Sequence, residues 1–200
     1  MGLENIFNVT ETTSVLTERF RNNPYFDVLV HQVRFPITGS PPSDFFTIEY
    51  KFFACAAICI DSRNRIPLLR IPRFPLRNET GDEYTWDLPG GRNRENETPL
   101  ECMERELREE LGLIVNSLKP LLKDYYYPEN SFGNEKLYLY LATGIKQTVD
   151  STPELEGKFE QRWFDFDEAI NMVFRGEIRS SWTVIGLLAA KIRMEEKKRT

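Results

Sequence analysis

The chain has 200 residues, of which 40% are hydrophobic, and a formal net charge of −5 at pH 7. A chain of this length can form one domain with a substantial core, with or without an appendage. The negative charge argues against a surface that coats nucleic acid, so no nucleic-acid partner is expected. A phosphorylated substrate would need metal ions and a few locally placed arginines to offset its own charge.

The few cysteines and the single histidine restrict the chemistry and the compartment. Cys55, Cys59 and Cys102 are odd in number and are predicted to be buried free thiols of a reducing compartment. His31 is the only histidine, so Ser–His or Cys–His catalysis would require His31 itself as the base. No signal pattern opens the chain, and the apolar run 52–60 is too short to span a bilayer. The sequence therefore predicts a cytoplasmic protein without a membrane partner.

Residues 1–45 are predicted to form a strand section that precedes a main domain over 46–200. The segment 13–21 is predicted as a short helix, and 25–34 alternates apolar and polar residues like a strand. A turn-rich break over 36–42 separates the two parts.

The main domain is predicted to begin with a long strand over 47–60 that enters the core. A turn at 62–64 then leads to 66–71, which is predicted to pair back as a hairpin. Residues 77–84 are predicted to be a polar loop.

A helix of about thirteen residues is predicted between Thr98 and Gly112. Thr98 can cap it, Pro99 suits the first helical position, and Glu101 completes a capping box. Gly112 provides a left-handed stop. The apolar positions recur at helical spacing and are predicted to face the core: Leu100, Met103, Leu107 and Leu111.

Three carboxylates gather on a second stripe of this helix, from Glu106, Glu109 and Glu110. Like charges at these spacings repel by about 0.2–0.5 kcal/mol per pair, so the cluster needs a reason. One interpretation is a solvated acidic face relieved by Arg105 and Arg108. The other is a site for a hard divalent cation, because carboxylate oxygens suit Mg²⁺ and no other partner is evident in the sequence. The backbone carbonyl of Gly90, which has no side chain, is predicted to reach the same ion.

Beyond this helix, strands are predicted over 118–126 and 136–143, with a turn at 130–134, and a polar loop over 147–158. A strand over 162–165 precedes a helix that begins at a second capping box and stops at Gly176. A last helix starts at Ser180 or Ser181 and is predicted to pack inward through Val184, Ile185, Leu187, Leu188 and Ile192. Mixed strands with flanking helices indicate an α/β or α+β fold with helices on both faces of a sheet.

The stretch 86–113 carries a spaced motif that resembles the signature of the Nudix hydrolases. Gly91 is followed by Glu97, then by the runs 105–107, 109–110 and 112–113, and every defined position is met. Such agreement would arise by chance below roughly 10⁻⁷ per starting point. The segments 68–73, 86–89, 166–169, 175–178 and 183–190 are similar to the ADP-ribose pyrophosphatase branch.

The resemblance implies a Nudix-type α/β/α sandwich with a mixed sheet and an N-terminal β extension. It also implies bound Mg²⁺, with Mn²⁺ as an alternative, and a homodimer completed by the N-terminal strands. The reaction it implies is hydrolysis of the pyrophosphate bond in a nucleoside diphosphate linked to another group. The substrate would be ADP-ribose or a nucleotide sugar, and the products a nucleoside monophosphate and a sugar phosphate.

Three positions depart from the branch and leave two other functions open. The branch carries Gln where this chain has Ile71, Ala where it has Gly90, and Glu where it has Asp87. The Gly90–Gly91 pair favours a nucleoside triphosphate pyrophosphohydrolase that cleans the nucleotide pool. The third function is a non-catalytic nucleotide-sugar sensor, against which the intact carboxylate set counts.

The resemblance also assigns roles within the motif. Glu106 and Glu110 are implied metal ligands, with Glu109 binding directly or through water. Glu97 and Arg105 are expected to brace the loop and the helix as an ion pair, and Gly91 and Gly112 are expected to be structural.

Substrate contacts are expected outside the motif. Arg70 and Arg73 could grip phosphate or pair with acids, and Trp86 fits the core better than a base-stacking platform. The candidates for stacking on a nucleobase across a dimer are Phe20, Tyr25 and Phe26.

The catalytic base is expected on a polar loop, because in the resembling branch it lies on a mobile loop after the later strands. Glu154 and Glu156 are the matching acids and Glu135 is their rival. Each of them could also be an ordinary surface acid.

Overall fold

The computed structural model describes residues 8–14, 23–34, 41–73, 84–147 and 160–199. The chain divides into two compact units. Unit 1 comprises Met1–Phe52 and Glu129–Glu135, and unit 2 comprises Phe53–Pro128 and Lys136–Thr200.

Unit 1 contains a three-stranded antiparallel sheet. Its strands lie in the order β1 (Asn8–Ser14), β2 (Phe26–Arg34) and β3 (Ser43–Tyr50). The backbone of Glu129–Glu135 joins this unit, since Ile48 N–H donates to the Phe132 carbonyl at 2.6 Å.

The strand predicted over 25–34 is confirmed as β2. The helix predicted over 13–21 is wrong at its start, because Thr13 and Ser14 belong to β1 and pair with β2. The run of β-branched threonines in β1 explains the preference for a strand there. Residues 15–22 lie outside the described part of the chain.

Unit 2 contains two sheets and three helices. One sheet has the order β7 (Gly90–Arg92), β4 (Phe53–Ile60), β9 (Lys136–Gln147) and β8 (Leu113–Pro120). The other has the order β10 (Glu160–Asp165), β5 (Arg65–Pro72) and β6 (Tyr84–Asp87). The helices are α1 (Pro99–Leu111), α2 (Phe166–Phe174) and α3 (Ser181–Arg199).

Strand β4 lies at the centre of unit 2 and is buried on both faces. Its residues Ala54, Ala56 and Ile58 pack in a cluster with α2 and α3. The alternate residues, Cys55, Ala57 and Cys59, pack in a second cluster with α1. Because β4 is parallel to β9 and antiparallel to β7, the sheet is mixed. The predicted α/β/α sandwich with a mixed sheet is therefore confirmed.

Two predictions about β4 are wrong. The single strand expected over 47–60 is two strands, β3 and β4, separated by a bend at 51–52. The hairpin of β4 with 66–71 does not form, because both edges of β4 are taken by β7 and β9. After the turn at Asp61–Arg65 the chain enters the other sheet, where β5 pairs with β6 and β10.

Several boundaries also differ from the predicted ones. Strand β8 starts at Leu113, directly after the Gly112 stop, rather than at 118, and it ends at Pro120. Strand β9 extends to Gln147, because its polar end pairs with the start of β8. The predicted loops over 77–84 and 147–158 and the break over 36–42 lie mostly outside the described residues.

The predicted helix α1 is confirmed with its caps. The Thr98 side chain accepts from Glu101 N, the Glu101 side chain accepts from the Thr98 backbone, and Gly112 is left-handed with φ of 65°. Met103, Leu107 and Leu111 are buried as predicted, but Leu100 is 44% exposed. Leu100 lies in the first turn, where Cys102 is buried in its place.

The starts of α2 and α3 are confirmed, but the predicted inward stripe of α3 is partly wrong. The Asp165 carboxylate caps α2, and Gly176 is left-handed beyond its end. In α3, Leu187 is buried, whereas Leu188 and Ile192 are exposed. Residues at 188 and 192 are rotated by about 100° and 140° from Leu187, so one stripe cannot bury all three.

The three cysteines are buried and free, as predicted. Within the described residues, no helix is both long enough and apolar enough to cross a membrane.

Candidate metal and active site

Arg105 lies at the centre of the candidate site and contacts three carboxylates. Its Nε and Nη2 donate to the two oxygens of Glu97 at 2.6 and 2.9 Å. Its Nη1 donates to Glu106 at 2.7 Å and to Glu109 at 2.9 Å. Glu109 is held a second time by Arg94 at 2.9 Å. The predicted ion pair of Glu97 with Arg105 is thus present, within a larger network.

This network ties the loop before α1 to the middle of the helix. Arg105 also donates to the Arg92 carbonyl at 2.9 Å, and Glu97 accepts from Arg94 N at 2.7 Å. Hydrogen bonds from the Arg105 guanidinium lower the pKa of Glu97 to about 2. The same bonds, from Glu97 first, raise the pKa of Arg105. Both groups therefore keep their charges across the physiological pH range.

The expectation that the helix carboxylates have no partner except a cation is wrong. Glu106 and Glu109 accept from Arg105, and Glu110 accepts from Gly90 N–H at 2.8 Å. The Gly90 N–H thus binds Glu110 directly, and the predicted contact of the Gly90 carbonyl with a metal ion stays a prediction. Arg105 offsets repulsion along this face of α1, as the first interpretation expected, but Glu106 and Glu110 are buried and the face is therefore not simply solvated.

The residues of this face nevertheless fit a divalent cation. Glu106 and Glu110 lie one helical turn apart and are only 9% and 4% exposed. At Gly91, a Cβ would lie 2.3 Å from Glu106 Oε1, so the glycine leaves that carboxylate room against the backbone. Buried carboxylate oxygens beside open backbone are the donors that hard cations prefer.

The oxygens are not gathered into one ready coordination sphere. Among the residues that the structure describes, no group of three or more acids, histidines or cysteines is placed to hold one ion. The reason lies in the side-chain directions, since Glu106 and Glu109 point to Arg105 while Glu110 points to Gly90.

The glycine at position 90 is required by close backbone approach. A Cβ there would lie 2.2 Å from the Cys55 carbonyl oxygen of β4. The neighbouring Pro89 carbonyl accepts from Ala57 N at 3.1 Å. Strand β4 therefore fixes the segment that carries the Gly90 N–H to Glu110.

A second buried network lies just before this segment, around Asp87. The Asp87 carboxylate is almost fully buried, accepts from the Arg73 guanidinium, and accepts from the Thr183 hydroxyl at 3.2 Å. Of the two roles weighed for Arg73, the structure thus contains an acid pair, with a buried partner. From the sequence, Asp87 stands out only as a departure from the branch, and Thr183, distant along the chain, carries no signal that links it to Asp87.

The other predicted substrate residues of unit 2 contact aromatic rings. The Arg70 guanidinium lies 4.5 Å from the centre of the Tyr84 ring. Trp86 packs edge-on against Phe164, with ring centres 4.9 Å apart, and belongs to the margin of the core.

The remaining predicted residues lie in unit 1 or outside the described chain. Phe26 packs near Tyr50, with ring centres 6.2 Å apart, and Tyr25 is exposed. Burial, followed by the charge of Glu135, raises the pKa of Tyr50. The His31 ring hydrogen-bonds the Thr47 hydroxyl at 2.7 Å. Three predicted residues lie outside the described residues: Phe20, Glu154 and Glu156.

Comparison with known proteins agrees with this geometry. Residues 51–181 match the family model described as the NUDIX domain. The chain belongs to the Nudix family. It is a Nudix hydrolase, and hydrolases of this family generally use divalent metal ions.

Individual relatives give the same result. An ADP-ribose pyrophosphatase of Mycobacterium tuberculosis is 30% identical over 88% of this chain and 81% of its own length. A CMP-5'-(N-acetyl-N-hydroxy-3-aminopropyl)phosphonate hydrolase of Streptomyces rubellomurinus is 33% identical over 72% of this chain and 68% of its own. A crystal structure of an ADP compounds hydrolase covers 97% of both chains with a TM-score of 0.76 and 17% identity, which supports the fold.

We expect acid to remove the stability that Glu97 contributes. Its pKa in the folded protein is about 2, against an ordinary value of 4.5. The contribution is therefore complete above pH 4.5 and is lost as the pH falls towards 2. Glu97→Gln should lower the free energy of unfolding at pH 7 by about 1 kcal/mol, after allowance for solvent screening.

Urea unfolding at a series of pH values measures this effect. The difference between wild type and Glu97→Gln should shrink from about pH 5 to about pH 3. Glu104→Gln, an exposed change on the same helix, is the control and should show little difference. A Glu97→Gln difference that stays constant over this range would contradict the assignment.

Proposed function

We propose that this Nudix hydrolase cleaves the pyrophosphate bond of a nucleoside diphosphate linked to another group, with ADP-ribose or a nucleotide sugar as substrate. The carboxylate face of α1, held by Arg105 beside Gly90 and Gly91, is the observation that carries the proposal. Both relatives are named for the hydrolysis of a nucleotide joined to a second group. A small-molecule nucleotide substrate follows from this similarity.

The proposed chemistry is substitution at phosphorus by water. Glu106 and Glu110 would hold Mg²⁺ or Mn²⁺, with Glu109 contributing directly or through water. A bound divalent cation supplies charge neutralisation at the phosphate oxygens and a lower pKa for water. Arg105 keeps Glu106 and Glu109 oriented on one face, and its own charge limits the mutual repulsion of the carboxylates.

Arg73 is the proposed phosphate contact of the chain itself. Its guanidinium is held from one side by the buried Asp87. A guanidinium has five N–H donors, so a fixed Arg73 can bind Asp87 and still present donors to a phosphate. Arg70 is the second candidate, at the same strand end. A role for Trp86 or Phe26 in stacking on the base stays a proposal.

A nucleoside triphosphate pyrophosphohydrolase is the second candidate function. The Gly90–Gly91 pair favours it, because the ADP-ribose pyrophosphatase branch usually carries alanine, and not glycine, at the first of these positions. A non-catalytic sensor remains the third, although the buried carboxylates argue against it.

A substrate panel separates these functions. Nucleoside diphosphate sugars, dinucleotides and nucleoside triphosphates would be incubated with Mg²⁺, and the products resolved by chromatography. Nucleoside monophosphate with a sugar phosphate supports the first function. Monophosphate with free pyrophosphate supports the second, and binding without turnover supports the sensor.

We further propose a reducing, cytoplasmic location, because three buried thiols are free. Imaging of the tagged protein would test the location.

Activity should require Mg²⁺ or Mn²⁺ and the Glu110 carboxylate. Glu110→Gln should lower kcat by at least about two orders of magnitude, because it removes a ligand of the metal ion that would stabilise the charge developing at the phosphate. Glu104→Gln, on the exposed face of the same helix, should retain wild-type kcat. Full activity of Glu110→Gln, or of the wild type in excess chelator, would exclude the metal assignment.

The catalytic base is predicted on the loop that carries Glu154 and Glu156. A positioned carboxylate typically adds about 10²–10⁴-fold to the rate. Glu154→Gln or Glu156→Gln should therefore lower kcat strongly while metal affinity and KM change little, and Glu135→Gln should have a smaller effect. Steady-state kinetics measures these effects. If Glu154→Gln and Glu156→Gln keep the wild-type kcat and Glu135→Gln has a strongly lowered kcat, the base lies at Glu135.

We also propose that residues 1–45 pack on a second copy in a two-fold dimer. Strand β3 exposes the large side chains of Phe45 and Phe46, which suits an interface. Deletion of residues 1–45 should abolish both dimerisation and nucleotide affinity. Because this deletion cuts β3, Phe46→Ser provides a milder test and should weaken the dimer. A wild-type monomer in sedimentation at micromolar concentration would refute the proposal.

A further inference from the structure

Three consecutive residues before the Nudix helix are each fixed by a different element of unit 2. Leu88 N–H donates to the Thr183 hydroxyl of α3 at 3.0 Å. The Pro89 carbonyl accepts from Ala57 of β4 at 3.1 Å. Gly90 N–H donates to Glu110 of α1 at 2.8 Å. The position of the Gly90 amide is thus set by the two residues before it, Leu88 and Pro89.

The Thr183 side chain serves two partners at once. It is 0% exposed, accepts from Leu88 N–H, and donates to Asp87 Oδ1 at 3.2 Å. A hydroxyl has one proton, so the bond to Asp87 uses its only donor. The other Asp87 oxygen, Oδ2, holds the Arg73 guanidinium. One buried hydroxyl of α3 therefore connects Arg73 on one side with Leu88 on the other.

Helix α3 also limits the position of Leu88 by direct packing. Gly186 lies one turn after Thr183 on the same face, and a Cβ there would lie 2.8 Å from Leu88 Cδ1. Leu88 is itself buried in the core. The α3 backbone at Gly186 thus packs directly against the Leu88 side chain, with no room for a side chain at position 186.

We propose that Thr183 is a positioning residue of this Nudix site, which places the Gly90 amide against Glu110 and holds Asp87 against Arg73. The effect on catalysis rests on the proposed function, whereas the effect on the Gly90 amide does not. Without the hydroxyl, Leu88 N–H would be buried without its acceptor and Asp87 would lose a donor. Because an unmet buried polar group is costly, the segment would shift to find water or another partner.

The test compares Thr183→Val, Thr183→Ser and Thr85→Val. Valine keeps the shape of threonine without the hydroxyl, and serine keeps the hydroxyl. Thr85 is the matched control, because it is equally buried, lies on β6 two residues before Asp87, and its hydroxyl accepts from Arg179 N at 3.3 Å. Both valine variants should lower the melting temperature, so stability alone does not separate them.

The first readout is hydrogen exchange of the Gly90 amide, measured by NMR on protein without added metal. Thr183→Val should raise this exchange rate by about tenfold over Thr85→Val, since it releases Leu88, two residues before Gly90. Thr183→Ser should restore most of the protection. Equal Gly90 exchange in the two valine variants would overturn the proposal.

The second readout is the dissociation constant for Mn²⁺, measured by calorimetry, together with KM for the best substrate of the panel. Thr183→Val should weaken Mn²⁺ binding by about tenfold, as for other residues that orient a ligand, and Thr85→Val should not. KM should rise in Thr183→Val because Arg73 loses its support. A wild type that binds no Mn²⁺ would refute the proposed function, while the exchange measurement would still decide the role of Thr183.

Discussion

The pairing of one guanidinium with three carboxylates is the interaction on which the rest of the site depends. Glu106 and Glu110 are buried, and buried carboxylates are tolerated only with compensating partners. Arg105, itself mostly buried, provides that compensation for Glu106 and also binds Glu97 in the preceding loop, whereas Glu110 accepts from Gly90 N–H. Because the same side chain joins loop and helix, the geometry of the loop cannot change without disturbing the carboxylates. The network therefore couples the shape of the backbone to the charge of the site.

Close backbone approach is the second constraint. A side chain at position 90 would collide with the β4 backbone, and one at position 91 would collide with Glu106. Strand β7, which carries both glycines, therefore packs closely between β4 and α1, and Glu110 can reach the Gly90 amide. This packing also explains why β4 is a short, continuous apolar strand, since helices cover it on both faces.

The local signals of the sequence were sufficient for α1 and its acidic face. Thr98, Glu101 and Gly112 act within a few residues of the helix they delimit, so pattern and outcome agree. Long-range choices were not encoded in this way. The expected hairpin of β4 does not form, because β9, far along the chain, pairs with the edge of β4. The exposure of Leu100 shows that helical spacing alone does not determine how far a core extends along a helix. Thr183 had no signal, because its two partners lie about a hundred residues earlier.

The hydrogen bond from Gly90 N–H to Glu110 joins the backbone held by Asp87 and Thr183 to the helix that carries the Arg105 network. Arg105 fixes Glu106 and Glu109 on α1, whereas Asp87 and Thr183 fix the backbone from the side of α3. A change at Thr183 should reach Glu110 through this bond, even though Thr183 touches no carboxylate of α1. Recognition of a base or a distal sugar, in contrast, must use side chains that belong to neither network. An intact Nudix helix can therefore determine the reaction while other side chains determine the substrate.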